Sequence, residues 1–300
     1  MPAVLIDTDI GDDIDDALAL ALALRSPELD VLGISTVFGP VAERARLARK
    51  LVAALGRPDV PVAAGLSTPL AGRNRPSGCV QCAALAPGEP LPPAYPGDAI
   101  QLISTTALAH PGQVTLIAQG PLTNIAAALR AEARLAGALA GITLMGSAIV
   151  PWPEWNTRND PEAARIVARS GVPLRFVGMN VTLPCALPLA QVRALAALDA
   201  TARPDAALLS QLIALWQRGN PRRRPILHDP LAVAAVARPA LLRWAPARFG
   251  NLAEGPLRGW SWARPWPGGG SATRAAWAVG RRAFLRLFAA RVIAAPTSAA

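Results

Sequence analysis

Lysine is nearly missing from this chain: of 30 basic residues only Lys50 is a lysine, and the rest are arginine. Apart from Arg222-Arg223-Arg224 the arginines are scattered, so the formal net charge of +10 reads as solvated side chains, not as a face built for phosphates. Nucleic acid is not an expected partner. Cysteine is scarce too. Cys79, Cys82 and Cys185 are too few for a disulfide framework. Cys79 and Cys82 have C-x-x-C spacing, but a structural zinc site needs four ligands and the chain holds only two histidines. Neither a redox nor a metal role is expected for the pair. Long apolar runs are absent as well. Stretches such as Ala17 to Leu24 stop far short of the roughly 20 residues that cross a membrane. The chain enters the apolar run Val4-Leu5-Ile6 with no basic or cleavable apolar stretch ahead of it, which reads as cytoplasmic rather than secreted.

What is present is a regular alternation. Over half of the residues are hydrophobic, enough for a large core. Val4 to Asp9, Leu29 to Phe38, Val60 to Ala64, Val114 to Ala118, Ile142 to Met145 and Leu174 to Val177 read as strands. Between and after them, helices are predicted over Asp15 to Arg25, Val41 to Leu55, Ala99 to Ala109, Leu122 to Ala131 and Pro161 to Arg169. Further helices lie around Gln191 and Leu208, over Pro230 to Val236, and over Arg282 to Ile293. The helix from Val41 is expected to turn its Arg and Lys to solvent, with Gly56 closing it. Ser67 to Gly97, rich in Pro and Gly, reads as a long loop. Strands alternating with helices of ten or more residues imply an α/β fold with a mostly parallel central sheet and helices on both faces. No linker or internal repeat interrupts it, so residues 1–300 are read as a single domain. In such sheets ligands bind at the carboxyl ends of the strands.

Three strand ends carry unusual polar residues: Asp7 to Asp16, Gln119 to Asn124, and the stretch after Met145. The first holds six aspartates in ten residues. Two carboxylates ~4 Å apart repel by about 4 kcal/mol at an effective dielectric near 20, so crowding them at a buried strand end is costly without a cation. Asp15 and Asp16 would also favour a helix N-terminus, but capping requires one or two acids, not six. Clustered hard oxygens select calcium or magnesium. Far along the chain, Asp229-Pro230 and Asp160-Pro161 each fit a helix start, with aspartate as the cap and proline in the first turn. His228, beside Asp229, reads either as a packed surface residue or as a proton donor.

Taken together these residues resemble the inosine–uridine-preferring nucleoside hydrolases. The resemblance runs through Asp7-Thr8-Asp9-Ile10-Gly11, Asp15-Asp16-Ala17-Leu18-Ala19, Gly33 to Gly39, Gly120-Pro121-Leu122-Thr123-Asn124, Leu144-Met145-Gly146, Glu154-Trp155-Asn156, Asp160 to Ala164 and His228-Asp229-Pro230, in family order. It implies a Ca²⁺ held by Asp9, Asp16, Asp229 and the backbone carbonyl of Gln119. The ribose diol and a water would complete its shell. Asp9 would be the base, and His228 would protonate or hydrogen-bond the leaving nucleobase. Asp15 would accept from the 2′-hydroxyl, with Glu154, Asn156 and Asn180 on other parts of the ribose. The implied reaction is calcium-dependent hydrolysis of a ribonucleoside to ribose and free base. The implied assembly is a homodimer or homotetramer with a small-molecule nucleoside as its partner.

The sequence departs from the family pattern in places. The aspartate pair at the helix start lies two residues further from Asp9 than usual, leaving Asp12 and Asp13 as alternatives to Asp15 and Asp16. Pro40 follows Gly39 where an amide or acid is common. The long loop reads Pro76-Ser77-Gly78-Cys79-Val80-Gln81-Cys82 and lacks the family's His-Gly segment. Trp152, Trp155, Trp260 and Trp262 are candidates for stacking on a base. Two rival readings exist: a nucleoside- or ribose-binding homologue without turnover, and a haloacid-dehalogenase-like phosphatase using its first DxD.

Overall fold

Among the described residues nine strands join in one sheet, and the first six follow the alternation seen in the sequence. The structure is a computed structural model that describes residues 1–72, 78–198, 200–266 and 272–294. The strands are β1 (Ala3–Thr8), β2 (Asp30–Thr36), β3 (Val62–Ala64), β4 (Val114–Ala118), β5 (Leu139–Met145), β6 (Leu174–Val177), β7 (Leu242–Asn251), β8 (Ser261–Pro265) and β9 (Arg274–Val279). Their spatial order is β3-β2-β1-β4-β5-β6-β9-β7-β8. Pairing is parallel from β3 through to β9 and antiparallel at β9–β7 and β7–β8. The mostly parallel sheet is thus as expected.

Strands β7 to β9 are not legible in the sequence. Their burial is partial, and Arg243, Pro246, Arg248 and Gly250 interrupt any apolar run along β7. Pro246 sits where β7 leaves its pairing with β9 and begins its pairing with β8. At the end of the described chain, the predicted single helix is an α-helix, Arg281–Phe288, that widens into a π turn over Ala289–Ile293.

Each face of the sheet carries its own apolar core. One is built around Val4, Ile6, Ile34 and the helices Asp15–Leu24, Pro204–Trp216 and His228–Ala237. The other is built around Leu5, Leu116, Leu144 and the helices Ala99–Ala109, Thr123–Ala131 and Pro161–Arg169. The helix Asp15–Leu24 is buried on nearly every side, which explains why its sequence alternates Ala and Leu with no polar face. It packs against His228–Ala237, which is equally apolar.

Two expectations are corrected. Arg44 does not face water: it is fully buried. It shares a helical stripe with Leu47, Ala48 and Leu51, and its guanidinium is spent on loop carbonyls described below. Cys79 and Cys82, expected to have no redox role, form a disulfide. The short 3₁₀ turn Val80–Ala84 places residues three apart above one another, and their Cα atoms lie 5.1 Å apart, within disulfide range. Pro76 and Ser77 of the same segment lie outside the described residues. Among the described residues no helix is long and apolar enough to cross a membrane.

Candidate active site

The crossover direction reverses between β1 and β4, and this is the point where open parallel sheets leave a crevice. Both strands end there in polar residues. Asp9 and Asp12 follow β1, and Gln119 follows β4, its N–H donating to the Asp7 carbonyl at 2.8 Å. Gly120 permits this closeness. A Cβ on it would lie 2.7 Å from Val37 and 3.0 Å from the Asp9 carboxylate.

Two helices complete the acidic end. Because Asp15–Leu24 and His228–Ala237 lie against each other, their N-terminal turns bring Asp15, Asp16 and Asp229 together, although 213 residues separate Asp16 from Asp229. One carboxylate oxygen of each lies within 4.8 Å of the other two. All three are buried, and the Oδ1 of Asp229 has no hydrogen-bond partner. Burial raises the pKa of all three well above the carboxylate range, and their mutual repulsion adds to this. Burial likewise pushes Asp9 up to about 7, against the lowering influence of Arg44, and holds Asp7 at about 7 despite bonds from Ser35 and Asn124. Such a site binds protons or a cation. A divalent ion fits it: hard oxygens, one of them an unpartnered carboxylate oxygen.

The loop between β1 and its helix is held by Arg44. Its guanidinium donates to the carbonyls of Phe38, Asp9, Ile10 and Gly78 and pairs with the Asp12 carboxylate at 2.7 Å. Gln81 holds the loop from the other side. Its N–H donates to the Gly11 carbonyl at 3.0 Å, and its side chain to the Asp13 carbonyl at 2.6 Å. The Cys79 sulfur lies so close to Gly11 that a Cβ there would sit 2.3 Å from it, so the residue is glycine, with φ of 126°.

A cavity of about 480 Å³ opens over these groups. Its lining includes the buried Asp9, Asp15, Asp16, Asp229, Gln119, Glu154, Asn156 and Trp216, the half-buried His228, and the exposed Trp152, Trp155 and Arg223. Glu154 caps the helix Trp155–Asn159, accepting from the N–H groups of Asn156 at 2.7 Å and Thr157 at 3.0 Å. Asn156 donates through Nδ2 to the Gln119 carbonyl at 2.7 Å. That leaves one lone pair of the carbonyl for another partner. His228 is half-buried, with Nδ1 2.7 Å from Thr182 Oγ1. Burial lowers its pKa to about 4, so near neutrality it is an uncharged imidazole. Arg223 stacks on Trp216 with 3.9 Å from guanidinium carbon to ring centroid.

The match to known proteins covers nearly all of this architecture. A family profile described as "Inosine-uridine preferring nucleoside hydrolase" matches residues 4–285. The chain belongs to this nucleoside hydrolase family. Uridine nucleosidase 1 of Arabidopsis thaliana is 31% identical over 297 residues, covering 88% of this chain and 85% of its own. A pyrimidine-specific ribonucleoside hydrolase of Salmonella paratyphi A is 31% identical over 261 residues, covering 80% and 82%. Among solved structures, a plant nucleoside hydrolase superposes with a TM-score of 0.84 at 27% identity, covering 98% of this chain and 99% of its own. A purine-preferring ribonucleoside hydrolase from Gardnerella vaginalis gives 0.83 at 28%, covering 97% and 98%. The nucleoside hydrolase is therefore an enzyme of the class acting on N-glycosyl compounds, and the phosphatase reading of the first DxD is set aside.

Of the residues singled out in the sequence, Asp9, Asp15, Asp16, Gln119, Glu154, Asn156, His228 and Asp229 line the same cavity, but the cluster of three acids takes in Asp15 and leaves out Asp9. Asn180 does not line it: its exposed side chain donates to the Ala276 carbonyl at 3.0 Å. Trp152 and Trp155 reach the cavity, whereas Trp260 and Trp262 do not. Asp12 and Asp13 line it without joining the cluster of three, Asp12 being paired with Arg44 and Asp13 lying exposed 3.8 Å from Arg223. Pro40 serves as the residue before the helix Val41–Ala54. Sequence reasoning missed Arg44 and Trp216, both on helices read as ordinary.

Proposed function

We propose that this nucleoside hydrolase cleaves ribonucleosides to ribose and free base with Ca²⁺ held by Asp9, Asp16, Asp229 and the Gln119 carbonyl. The observation that carries it is the buried convergence of Asp15, Asp16 and Asp229 at a ligand-sized cavity that His228 also lines. When bound, the cation would offset the crowded negative charge, grip the ribose diol and lower the pKa of an adjacent water.

The chain's own residues supply the remaining work. Asp9 takes a proton from the attacking water, whose oxygen bonds to C1′ as the glycosidic electron pair leaves with the base. The sugar becomes oxocarbenium-like on the way, and the surrounding carboxylates stabilise that positive charge. Asp15 accepts from the 2′-hydroxyl, while Glu154 and Asn156 orient the ribose. Thr182 occupies Nδ1 of His228, leaving Nε2 for the departing base. Being neutral, that imidazole assists through an N–H hydrogen bond, not as a preformed cation. Trp152, Trp155 and Trp216 provide apolar faces for the base.

The relatives named for uridine and pyrimidines put uridine first among substrates to try. The test is sugar release from uridine, cytidine, inosine and adenosine, first with Ca²⁺ and then with EDTA. Release that stops on chelation and returns with Ca²⁺ is expected. Release indifferent to EDTA would sink the metal assignment, and no release from any of the four would leave a binding homologue. We further propose a cytoplasmic homodimer or homotetramer, read by cell fractionation and by light scattering on the purified protein. The half-exposed Cys79–Cys82 bond is of the kind a reducing compartment opens.

A further inference from the structure

One charged side chain bound to the loop of aspartates never reaches the cavity. Arg44 is fully buried and is not among the residues that line it. It therefore cannot touch a bound nucleoside, and whatever it does passes through its partners. Those partners include three separate segments. After β1 its guanidinium donates to the carbonyls of Asp9 and of Ile10, the latter at 2.7 Å, and pairs with the Asp12 carboxylate at 2.7 Å. After β2 its Nε donates to the Phe38 carbonyl at 2.7 Å, and in the long loop its Nη2 donates to the Gly78 carbonyl at 3.3 Å.

Two of these contacts lead to lining residues. Pinning the carbonyls of Asp9 and Ile10 fixes the backbone from which the Asp9 side chain projects. Phe38 holds a left-handed φ of 66°, which a bulky residue keeps only where its surroundings over-determine it. Its ring meets that of Trp155 edge-on, with 6.3 Å between centroids. The tethered loop is also the one that runs two residues longer than the family's usual spacing, and added length is added freedom. For stability alone, apolar packing of the same volume does as well as a buried charge or better. A guanidinium kept here answers a demand for geometry.

We infer that Arg44 is a positioning residue of the reaction: it holds the Asp9 carboxylate in the place that its work as base and ligand requires. This rests on the nucleoside hydrolase reading of the same cavity. Arg44 moves no proton and binds no substrate. A misplacement of about 1 Å in a reacting group is enough to cost a hundredfold in rate. Lysine cannot stand in for it, since one ammonium lacks the planar fork that spans several partners.

The experiment compares wild type with Arg44→Lys, Asp12→Asn and the double variant. Each is assayed on uridine and inosine in Ca²⁺, titrated with Ca²⁺ alone by calorimetry, and melted. For Arg44→Lys, kcat should fall about a hundredfold while KM changes less than about threefold. Calcium should still bind one site per chain, about tenfold more weakly. Asp12→Asn loosens one arm of the tether and should lower kcat about three- to tenfold. The double variant should be no slower than Arg44→Lys, because both changes act through one anchor. The inference is overturned if Arg44→Lys keeps kcat per calcium-binding chain within about threefold of wild type, its only losses being melting temperature and the number of sites, as for a plain strut. Losses that multiply in the double variant also overturn it, since Asp12 then acts without Arg44. Should Arg44→Lys fail to fold, Asp12→Asn decides alone, and an unchanged kcat overturns the inference. If wild type cleaves no nucleoside, the hydrolase reading fails by itself. The calcium titrations then decide the role of Arg44, equal affinities in wild type and Arg44→Lys overturning it. A wild type that neither cleaves a nucleoside nor binds calcium overturns both.

Discussion

Replacing Asp229 by Asn should make the metal-free protein more stable and the calcium-treated protein less so. The three clustered carboxylates lie within 4.8 Å of one another. At an effective dielectric near 20, one such ionised pair repels by about 3.5 kcal/mol. Proton uptake relieves part of this, because each acid is raised well above its ordinary range when buried here. The sign follows from linkage. A carboxylate whose folded pKa is raised contributes stability at low pH, and that contribution is lost as pH climbs from about 4 through the folded value. Metal-free wild type should therefore melt lower at pH 8.5 than at pH 5, with Asp7 and Asp9, both near 7, adding to the slope. At pH 8.5 in EDTA, Asp229→Asn removes one charge from the cluster and should recover ~2 kcal/mol, a rise of roughly 3 °C for a chain of 300 residues. Calcium at a hundredfold excess over its Kd should stabilise wild type by about 2.7 kcal/mol and the variant hardly at all. Differential scanning calorimetry at both pH values, with EDTA and with calcium, reads all four quantities. If Asp229→Asn melts below wild type in EDTA at high pH, the acids are not crowded against one another and the cation site is wrongly drawn.

Other perturbations test other parts. Asp9→Ala should abolish sugar release by removing base and ligand together, while circular dichroism stays native; near-normal activity would refute its assignment. His228→Ala should lower kcat by about a hundredfold or more on nucleosides with poor leaving groups. It should cost far less with p-nitrophenyl riboside, whose leaving group needs no proton. Ser147 adopts φ of 64°, a left-handed conformation, and its buried hydroxyl lacks a partner. Ser147→Gly should thus raise stability by about 1 kcal/mol in a melt. Reducing the Cys79–Cys82 bond, which closes a short turn, should cost about 2 kcal/mol by chain entropy. It should also weaken calcium binding, because Cys79 and Gln81 both press on the loop from Asp9 to Asp13; calorimetric calcium titration with and without dithiothreitol checks this.

Much of this architecture is readable from the chain because its signals are local. Strand β1 is a short apolar run ending in aspartates, and the helices that carry Asp15 and Asp229 begin where acids and proline favour a start. Their convergence was expected from the ordered motifs, not from spacing, since Asp16 and Asp229 are distant in sequence. What escaped notice depends on tertiary context. Arg44 looks like a solvated arginine until one sees that it shares a stripe with Leu47, Ala48 and Leu51. Trp216 lies on a helix with an ordinary core pattern, and only the packing brings its ring to the cavity. Strands β7 to β9 lack alternation because the sheet end they form is half wet and bears Pro246 and several arginines. Three cysteines cannot make a disulfide framework, yet one turn of 3₁₀ geometry is enough for the single Cys79–Cys82 bond.

The side-by-side seating of Asp15–Leu24 against His228–Ala237 has a further consequence. These two helices are almost wholly alanine, leucine and valine, so their separation is fixed by methyl groups deep in the interior. The gap between the acids at their tips is a readout of that separation. The spacing of the three carboxylates is then decided as much by the girth of side chains two turns below as by the acids themselves. An enlarged alanine in this seam would widen that spacing without altering any of the three acids.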